Sequence, residues 1–228
     1  MVFKRSYSLE IMDDFSIQDE RIDNALYELK IINKYLGGIS ATKRGIKKII
    51  SKFKLQTKKI NILDAGSGAS DILFNLNKKK KYINIFSVDI NKRVCFYLKE
   101  KSKNNFVICG DALNLPIKNL QIDIIHSSLF FHHLKEGEIK KILLHFYNLT
   151  KYGIIINDLH RSVFAYLGIK ILTKIFSKSE MVKNDAPLSV MRGFKKKELK
   201  RMLFDLKINN FEIKRKWAFR WLVIIYKN

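Results

Sequence analysis

The stretch Asn61-Ile-Leu-Asp64-Ala-Gly66-Ser-Gly68-Ala-Ser-Asp71 gathers the residue types of a nucleotide-cofactor turn. An apolar run ends in an acid, two glycines follow, and a helical pattern begins. This is how α/β proteins build ligand sites at the carboxyl ends of their strands. Gly66 and Gly68 permit positive φ and let a ligand approach the backbone. A pyrophosphate site asks for a third glycine where Asp71 stands, and a carboxylate there repels phosphate. Acids at Asp64 and Asp71 instead suit a cationic ligand group such as an amine. A second apolar run, Tyr82 to Val88, closes in Asp89 and Ile90, with Asp89 21 residues after Gly68. A carboxylate at that point can accept both hydroxyls of a ribose. Val107-Ile-Cys-Gly110-Asp111-Ala112 ends a third run, with Asp111 placed to accept from an adenine amino group and Ala112 to offer a backbone N–H. Ser127 stands at the mouth of a fourth run, Ile122 to Ser128.

The acceptor side of such a site lies beyond the fourth and fifth runs. His132, His133 and His160 fall there, and His160 sits between Asp158 and Arg161. An Asp–His pair makes a proton acceptor, because imidazole titrates near neutrality. His160, Asp158 and His133 are therefore the expected catalytic residues, and His132, Arg161 and Tyr166 are expected to touch the substrate. Asp158 also suits a helix cap, and the two adjacent histidines suit a helix-start packing element. His126, inside a strand, and His145, inside a helix, read as structural. The segment Val163 to Phe176 is strongly apolar. It reads as a helix packed on the sheet, as a lid over a hydrophobic substrate lined by Tyr166, or as a membrane-surface element through Lys170, Lys174 and Lys178. The lid is the preferred expectation.

The elements that position these residues alternate. The patterning predicts helices over 19–36 and 42–53, strands over 60–64, 82–88, 105–109, 122–128 and 152–157, and helices over 70–77, 91–103, 135–149, 161–177 and 194–205. That alternation is the signature of a doubly wound, mostly parallel sheet. Phe211 to Trp217 and Phe219 to Tyr226 are two β-rich runs with almost nothing between them. No crossover helix fits there, so they form an antiparallel hairpin. Residues 1–57 are expected to be an N-terminal helical cap and 58–228 a single globular unit.

The ordered motifs Asp64-x-Gly66-x-Gly68, Asp89, Gly110-Asp111-Ala112 and Ser127-Ser…His132-His133-Leu resemble those of class I S-adenosylmethionine (SAM)-dependent methyltransferases. The resemblance covers about residues 58–160, and the terminal hairpin extends it. It is closest to the ubiquinone/menaquinone-biosynthesis type. Asn157-Asp-Leu-His160-Arg161 and Asp185-Ala-Pro-Leu-Ser189-Val-Met-Arg192-Gly-Phe194 further resemble bacterial enzymes of polyketide and other secondary metabolism. The resemblance implies an α/β, Rossmann-like fold with a seven-stranded sheet. It also implies that Asp64, Gly66, Gly68, Asp89, Asp111, Ala112 and Ser127 surround SAM, with S-adenosylhomocysteine (SAH) as product. One departure is Ser70, where the family usually has a third glycine. The activity implied is O-methylation of an aromatic, quinone-like or polyketide-type metabolite.

Composition narrows the alternatives. With 228 residues and 47% hydrophobic content the chain can build one sizeable core. Two cysteines without a Cys-x-x-Cys pattern argue against a disulfide scaffold, no metal site is read, and a cytoplasmic location is expected. No apolar run approaches the ~18 residues of a transmembrane span. A net charge of +23 admits a polyanion partner. The cations are overwhelmingly Lys, as at Lys78–Lys81 and Lys195–Lys197, whereas nucleic-acid readers favour the fork of Arg. An RNA or tRNA methyltransferase is thus the less favoured reading, along with a non-catalytic SAM-binding partner protein. An NAD-dependent oxidoreductase is disfavoured by Asp71 and the hairpin. The acceptor and the oligomeric state, a homodimer included, stay open at this level.

Overall fold

The structure is a computed structural model that describes residues 4–77, 83–101, 106–115, 117 and 120–227. The expected strand starts at Tyr82 and Asn105, the end of the expected 91–103 helix and the Lys78–Lys81 run lie outside the described residues.

Two helices come first, α1 (Glu20–Tyr35) and α2 (Gly38–Lys52). The alternating core follows as β1 (Ile60–Ala65), α3 (Asp71–Asn77), β2 (Ile83–Asp89), α4 (Lys92–Lys101), β3 (Phe106–Cys109), β4 (Ile122–Ser128), α5 (Glu136–Leu149) and β5 (Thr150–Leu159). Then come α6 (Val163–Phe176), α7 (Glu180–Arg192), α8 (Lys196–Asp205), β6 (Phe211–Lys216) and β7 (Arg220–Tyr226). The seven strands form one sheet in the order β3-β2-β1-β4-β5-β7-β6. β1 to β5 pair in parallel, and β7 pairs antiparallel with both β5 and β6. The expected mixed sheet with its terminal hairpin is therefore observed.

The central strands are apolar on both faces because helices cover both. β7 is buried along its length. β6 is one edge of the sheet, and its Glu212, Lys214, Arg215 and Lys216 keep that edge polar. One core cluster joins Leu63, Ile125, Ile154 and Val223 to Ile139 and Phe146 of α5 and Met202 of α8. On the other face Ile46, Ile49 and Ile50 of α2 pack on Ile62, Ile124, Ile155 and Leu222. α2 is thus part of the sheet sandwich. A third cluster, with Ile22, Leu26, Val94, Leu98, Met181 and Val182, ties α1 to α4 and α7.

The strand order reverses between β1 and β4, and the crevice at the carboxyl ends of such strands is where ligands bind. Two local features shape it. α1 stops at Tyr35, and α2 starts at Gly38, earlier than the Thr42 expected, with Gly37 (φ +79°) making the junction. α7 is the element that sequence patterning missed. Pro187 inside it breaks the backbone ladder, which costs about 3 kcal/mol in a helix interior. A cap from Ser179 to the Val182 N–H and burial of Met181, Val182, Pro187 and Val190 offset this.

Candidate functional site

A large cavity of about 730 Å³ opens at the carboxyl ends of β1, β2 and β4. Its wall includes Asp64, Gly66, Gly68, Asp71, Asp89 and Ile90 on one side and Glu10, His132 and His133 on another. Among the described residues, eight buried side-chain polar atoms lack a hydrogen-bond partner, and six of them belong to residues of this wall. They are Glu10 Oε1, Ser67 Oγ, Asp71 Oδ2, Asn91 Nδ2, Ser128 Oγ and His132 Nε2. Unpaired buried polar atoms are costly unless a ligand or water meets them, so their concentration marks where a polar ligand belongs.

The turn after β1 is held from below. Asp64 is buried, and its Oδ1 accepts from His126 Nδ1 at 2.7 Å while Oδ2 accepts from the Ser70 hydroxyl. Thr42 of α2 lies 2.9 Å from His126 Nε2, and Asn157 Nδ2 donates to the Thr42 oxygen. The Thr42 proton therefore points at Nε2, which leaves the ring proton on Nδ1, toward Asp64. His126 is structural, as expected, and it buttresses the cofactor turn. Gly66 needs its φ of +61° and has no room for a side chain, since a Cβ would lie 2.2 Å from Phe130 Cδ2. Asp89 accepts from the Gly68 N–H at 3.0 Å through Oδ2 and from the Asn91 N–H through Oδ1, which ties the end of β2 to the glycine turn. Burial pushes its carboxyl up, against those two hydrogen bonds. Burial likewise raises Asp71 to about 6, opposed by a hydrogen bond from Asn33 and reinforced by the neighbouring Asp64. Asp111 and Ala112 line the same wall. Asp111 Oδ1 accepts from the Leu113 N–H, which fixes the turn after β3.

Ser127 does not face the cavity. Its hydroxyl donates to the Ala65 carbonyl, and the next residue, Ser128, lines the wall instead. Successive side chains of a strand point to opposite faces, so a one-residue error exchanges wall for core.

The acceptor end differs more from expectation. Asp158 does not pair with His160. Its Oδ1 accepts from His132 Nδ1 at 2.7 Å, and Oδ2 from the His132 backbone N–H. Burial alone raises Asp158, but the charge and hydrogen bond of His132 outweigh it and hold the carboxyl below its ordinary range. An ionised Asp158 only accepts, so His132 keeps a proton on Nδ1, and its Nε2, without a hydrogen-bond partner, belongs to the cavity wall. His160 sits outside the cavity wall, edge-on to Trp221 with ring centroids 4.9 Å apart. Burial, then Arg215, Lys195 and Arg161, depress its imidazole to about 4. Arg161 is also off the wall and binds the Glu198 carboxylate and the Gly193 carbonyl. Tyr166 falls one helical position from the residues of α6 that do line the cavity, Phe164, Ala165, Gly168, Ile169 and Leu172.

Glu10 was not legible as a site residue. It lies 122 residues before His132 in the chain, yet its Oε1 is 3.6 Å from His132 Nε2. α7 places it there. Asp185, Ser189 and Arg192 stand on one face of that helix. Asp185 accepts from the Ile11 and Met12 N–H groups, Ser189 donates to Glu10 Oε2 at 2.8 Å, and Arg192 donates to the Ser8 carbonyl and to Asp13. Arg5 and Arg192 also hold the carbonyls of the short 3₁₀ turn Phe131–His133. The Asp185…Ser189…Arg192 pattern singled out in the sequence thus straps the N-terminal segment over the pocket. Burial raises Glu10 to about 7, against the pull of His133, Ser189 and Arg192. His133 Nδ1 meets Asp13 at 2.5 Å. Burial alone raises Asp13, but hydrogen bonds from His133 and Arg192 prevail and hold it well below the ordinary range. Glu10, His132 and His133 bring ligand-type atoms within 4.8 Å of one another. Arg192, 3.5 Å from Glu10 Oε1, already sets a cation beside the carboxylate, and the set reads as a proton-handling cluster.

Residues 62–153 match the model of a family of methyltransferase domains. No curated protein sequence matches the chain. Among solved structures, the plantazolicin methyltransferase BpumL, in complex with a triazolic desmethylPZN analog and SAH, aligns with a TM-score of 0.69 at 16% identity, over 94% of this chain and 93% of that one. The magnesium protoporphyrin IX methyltransferase ChlM from Synechocystis PCC 6803 with bound SAM aligns with a TM-score of 0.61 at 12% identity, over 98% and 100%. A SAM-dependent methyltransferase from Aquifex aeolicus aligns with a TM-score of 0.58 at 19% identity, over 80% and 89%. At these identities the likeness is one of fold, and the fold is the Rossmann-like fold of methyltransferases.

Proposed function

We propose that this chain, whose residues 62–153 match a family of methyltransferase domains, is a class I SAM-dependent methyltransferase that methylates an oxygen of a small, largely apolar acceptor. SAM, when bound, supplies an electrophilic methyl group on a sulfonium, and its transfer is an in-line displacement. The chain's own residues do the rest. Asp89 offers its remaining lone pairs to the ribose hydroxyls, and Asp64 and Asp71 set negative charge around the ammonium end. Gly66 and Gly68 let the backbone approach, while Ile90, Asp111 and Ala112 flank the adenine side. Ile169 of α6 and the buried Met181, Val182 and Val190 of α7 give the wall an apolar surface that suits an aromatic, quinone-like or polyketide-type body.

His132 Nε2 takes the proton from the acceptor hydroxyl as the oxygen attacks. Asp158 on Nδ1 orients the ring and stabilises the imidazolium that forms. Glu10, beside Nε2, adds a second negative charge, and His133, held by Asp13, closes that side of the cluster. The observation that carries this reading is the convergence of unpartnered buried atoms from both the glycine-turn side and the His132 side on one cavity.

Calorimetry with SAM, SAH and NAD tests the cofactor, and binding of NAD without SAM refutes the reading. Turnover of labelled SAM with a panel of phenols and carboxylic acids tests the chemistry. His132→Gln lowers kcat by about 10²–10⁴, the usual worth of a positioned base, with SAM affinity unchanged. Full activity of that variant removes His132 from the mechanism.

A further inference from the structure

α6 is built inside out. A surface helix normally buries its large apolar residues and exposes its polar ones. Here the buried positions of α6 are the small Ala165 and Thr173. Phe164 (76% exposed), Ile175 (65%) and Phe176 (75%) face outward, with Leu167, Ile171 and Leu172 also exposed. Phe164, Leu167, Ile171 and Ile175 follow one another at helical spacing and form a continuous outer stripe. A contiguous exposed apolar face of this kind marks an interaction site.

Charge identifies the partner. Lys170 and Lys174 are exposed one helical turn apart beside the stripe, and Lys178, also exposed, follows just past the end of α6. From Arg161 to Ser179 there is no acidic residue. A second copy of the chain would set this lysine row against its own image, in a protein of net charge +23. A bilayer with anionic headgroups complements both rows at once, since acyl chains take the apolar stripe and headgroups take the ammonium groups. The 14-residue helix is too short to span a membrane, and among the described residues no helix qualifies as a span. It can lie in the interface plane.

We infer that α6 docks this protein on an anionic membrane surface. The pocket shares that face, because Phe164 of the stripe and Leu172, exposed on the same helix, also line the cavity wall. Leu9, Phe15 and Trp217, all exposed, line the same cavity. Resting on the methyl-transfer reading for what enters, the docked enzyme draws an amphiphilic acceptor from the lipid phase, with its polar group toward His132.

Vesicle flotation decides the matter, with phosphatidylcholine alone and with phosphatidylcholine mixed with phosphatidylglycerol. The protein is expected to float with the anionic vesicles, and added salt to release it. Lys170→Gln, Lys174→Gln and Lys178→Gln each weaken binding by about fivefold. The triple variant Ile171→Ser/Ile175→Ser/Phe176→Ser, at positions outside the cavity wall, loses at least about tenfold. SAM calorimetry on each variant is expected to match the parent, which shows that it is folded. No flotation of the parent, or equal flotation of the triple variant, overturns the proposal. So does a parent dimer that the triple variant converts to monomer. Flotation that survives while SAM fails to bind supports the docking face and refutes the cofactor reading instead.

Discussion

Replacing Glu10 by Gln separates the stability of this chain from its chemistry. The Glu10 carboxyl is buried among His132 and His133 of the 3₁₀ turn, Ser189 and Arg192 of α7, and Asp13 of its own segment. Burial lifts it from 4.5 to about 7. The folded state thus binds this proton more tightly than the unfolded chain does. The stability contributed by the neutral carboxyl is present in full below about pH 4.5 and is lost as pH rises through about 7. The difference amounts to about 3 kcal/mol at pH 8. Gln is neutral at every pH, has nearly the same shape and still accepts from Ser189. Glu10→Gln is therefore expected to be more stable than the parent by about 3 kcal/mol at pH 8, or roughly 6–12 °C in Tm for a chain of this size. At pH 4.5 the two converge. Urea unfolding at pH 4.5, 6, 7 and 8 gives the curve. Methyl transfer slows in the variant, because the anion beside His132 Nε2 is gone, while SAM binding holds. Parallel stability curves across this pH range would refute the assignment of a strained, functional carboxylate at Glu10.

Other outcomes follow from the same geometry. Asp89→Ala removes the acceptor that ties Gly68 to β2 and that we propose meets the ribose, so SAM affinity by calorimetry should fall by about 10- to 100-fold, the worth of two hydrogen bonds. Gly66→Ala places a Cβ 2.2 Å from the Phe130 ring at a positive φ, and should cost about 1–3 kcal/mol in urea unfolding, with SAM binding weakened alongside. His160→Ala should leave kcat within about twofold at neutral pH, because His160 lies off the cavity and Asp158 belongs to His132. A large loss of turnover there restores the pairing of Asp158 with His160.

The glycine-turn side of the cavity wall was largely legible because its residues are local to strand ends. Asp64, Gly66, Gly68, Asp89, Ile90, Asp111 and Ala112 each follow an apolar run, and a parallel sheet lines up the carboxyl ends of those runs by construction. Ser127 lies off that wall and Ser128 on it, the one residue that separates the two faces of a strand. The terminal hairpin was legible for a similar reason, since two β-rich runs without room for a crossover have one solution.

The acceptor half was not legible in this way. Asp158 and His160 are neighbours in sequence, but their partners are set by packing: His132 of a different connection takes Asp158, and Trp221 of β7 takes His160. Pro187 concealed α7, and α7 is the element that carries Glu10 to His132. Local pattern determined the fold, the turn and the acids around it, because those depend on short-range periodicity and backbone freedom. Tertiary structure decided which histidine lines the cavity beside a buried carboxylate, which carboxylate joins it and which face of α6 is left bare. Those depend on contacts between separate segments, 26 residues apart for His132 and Asp158 and 122 for Glu10 and His132, to which no local spacing responds.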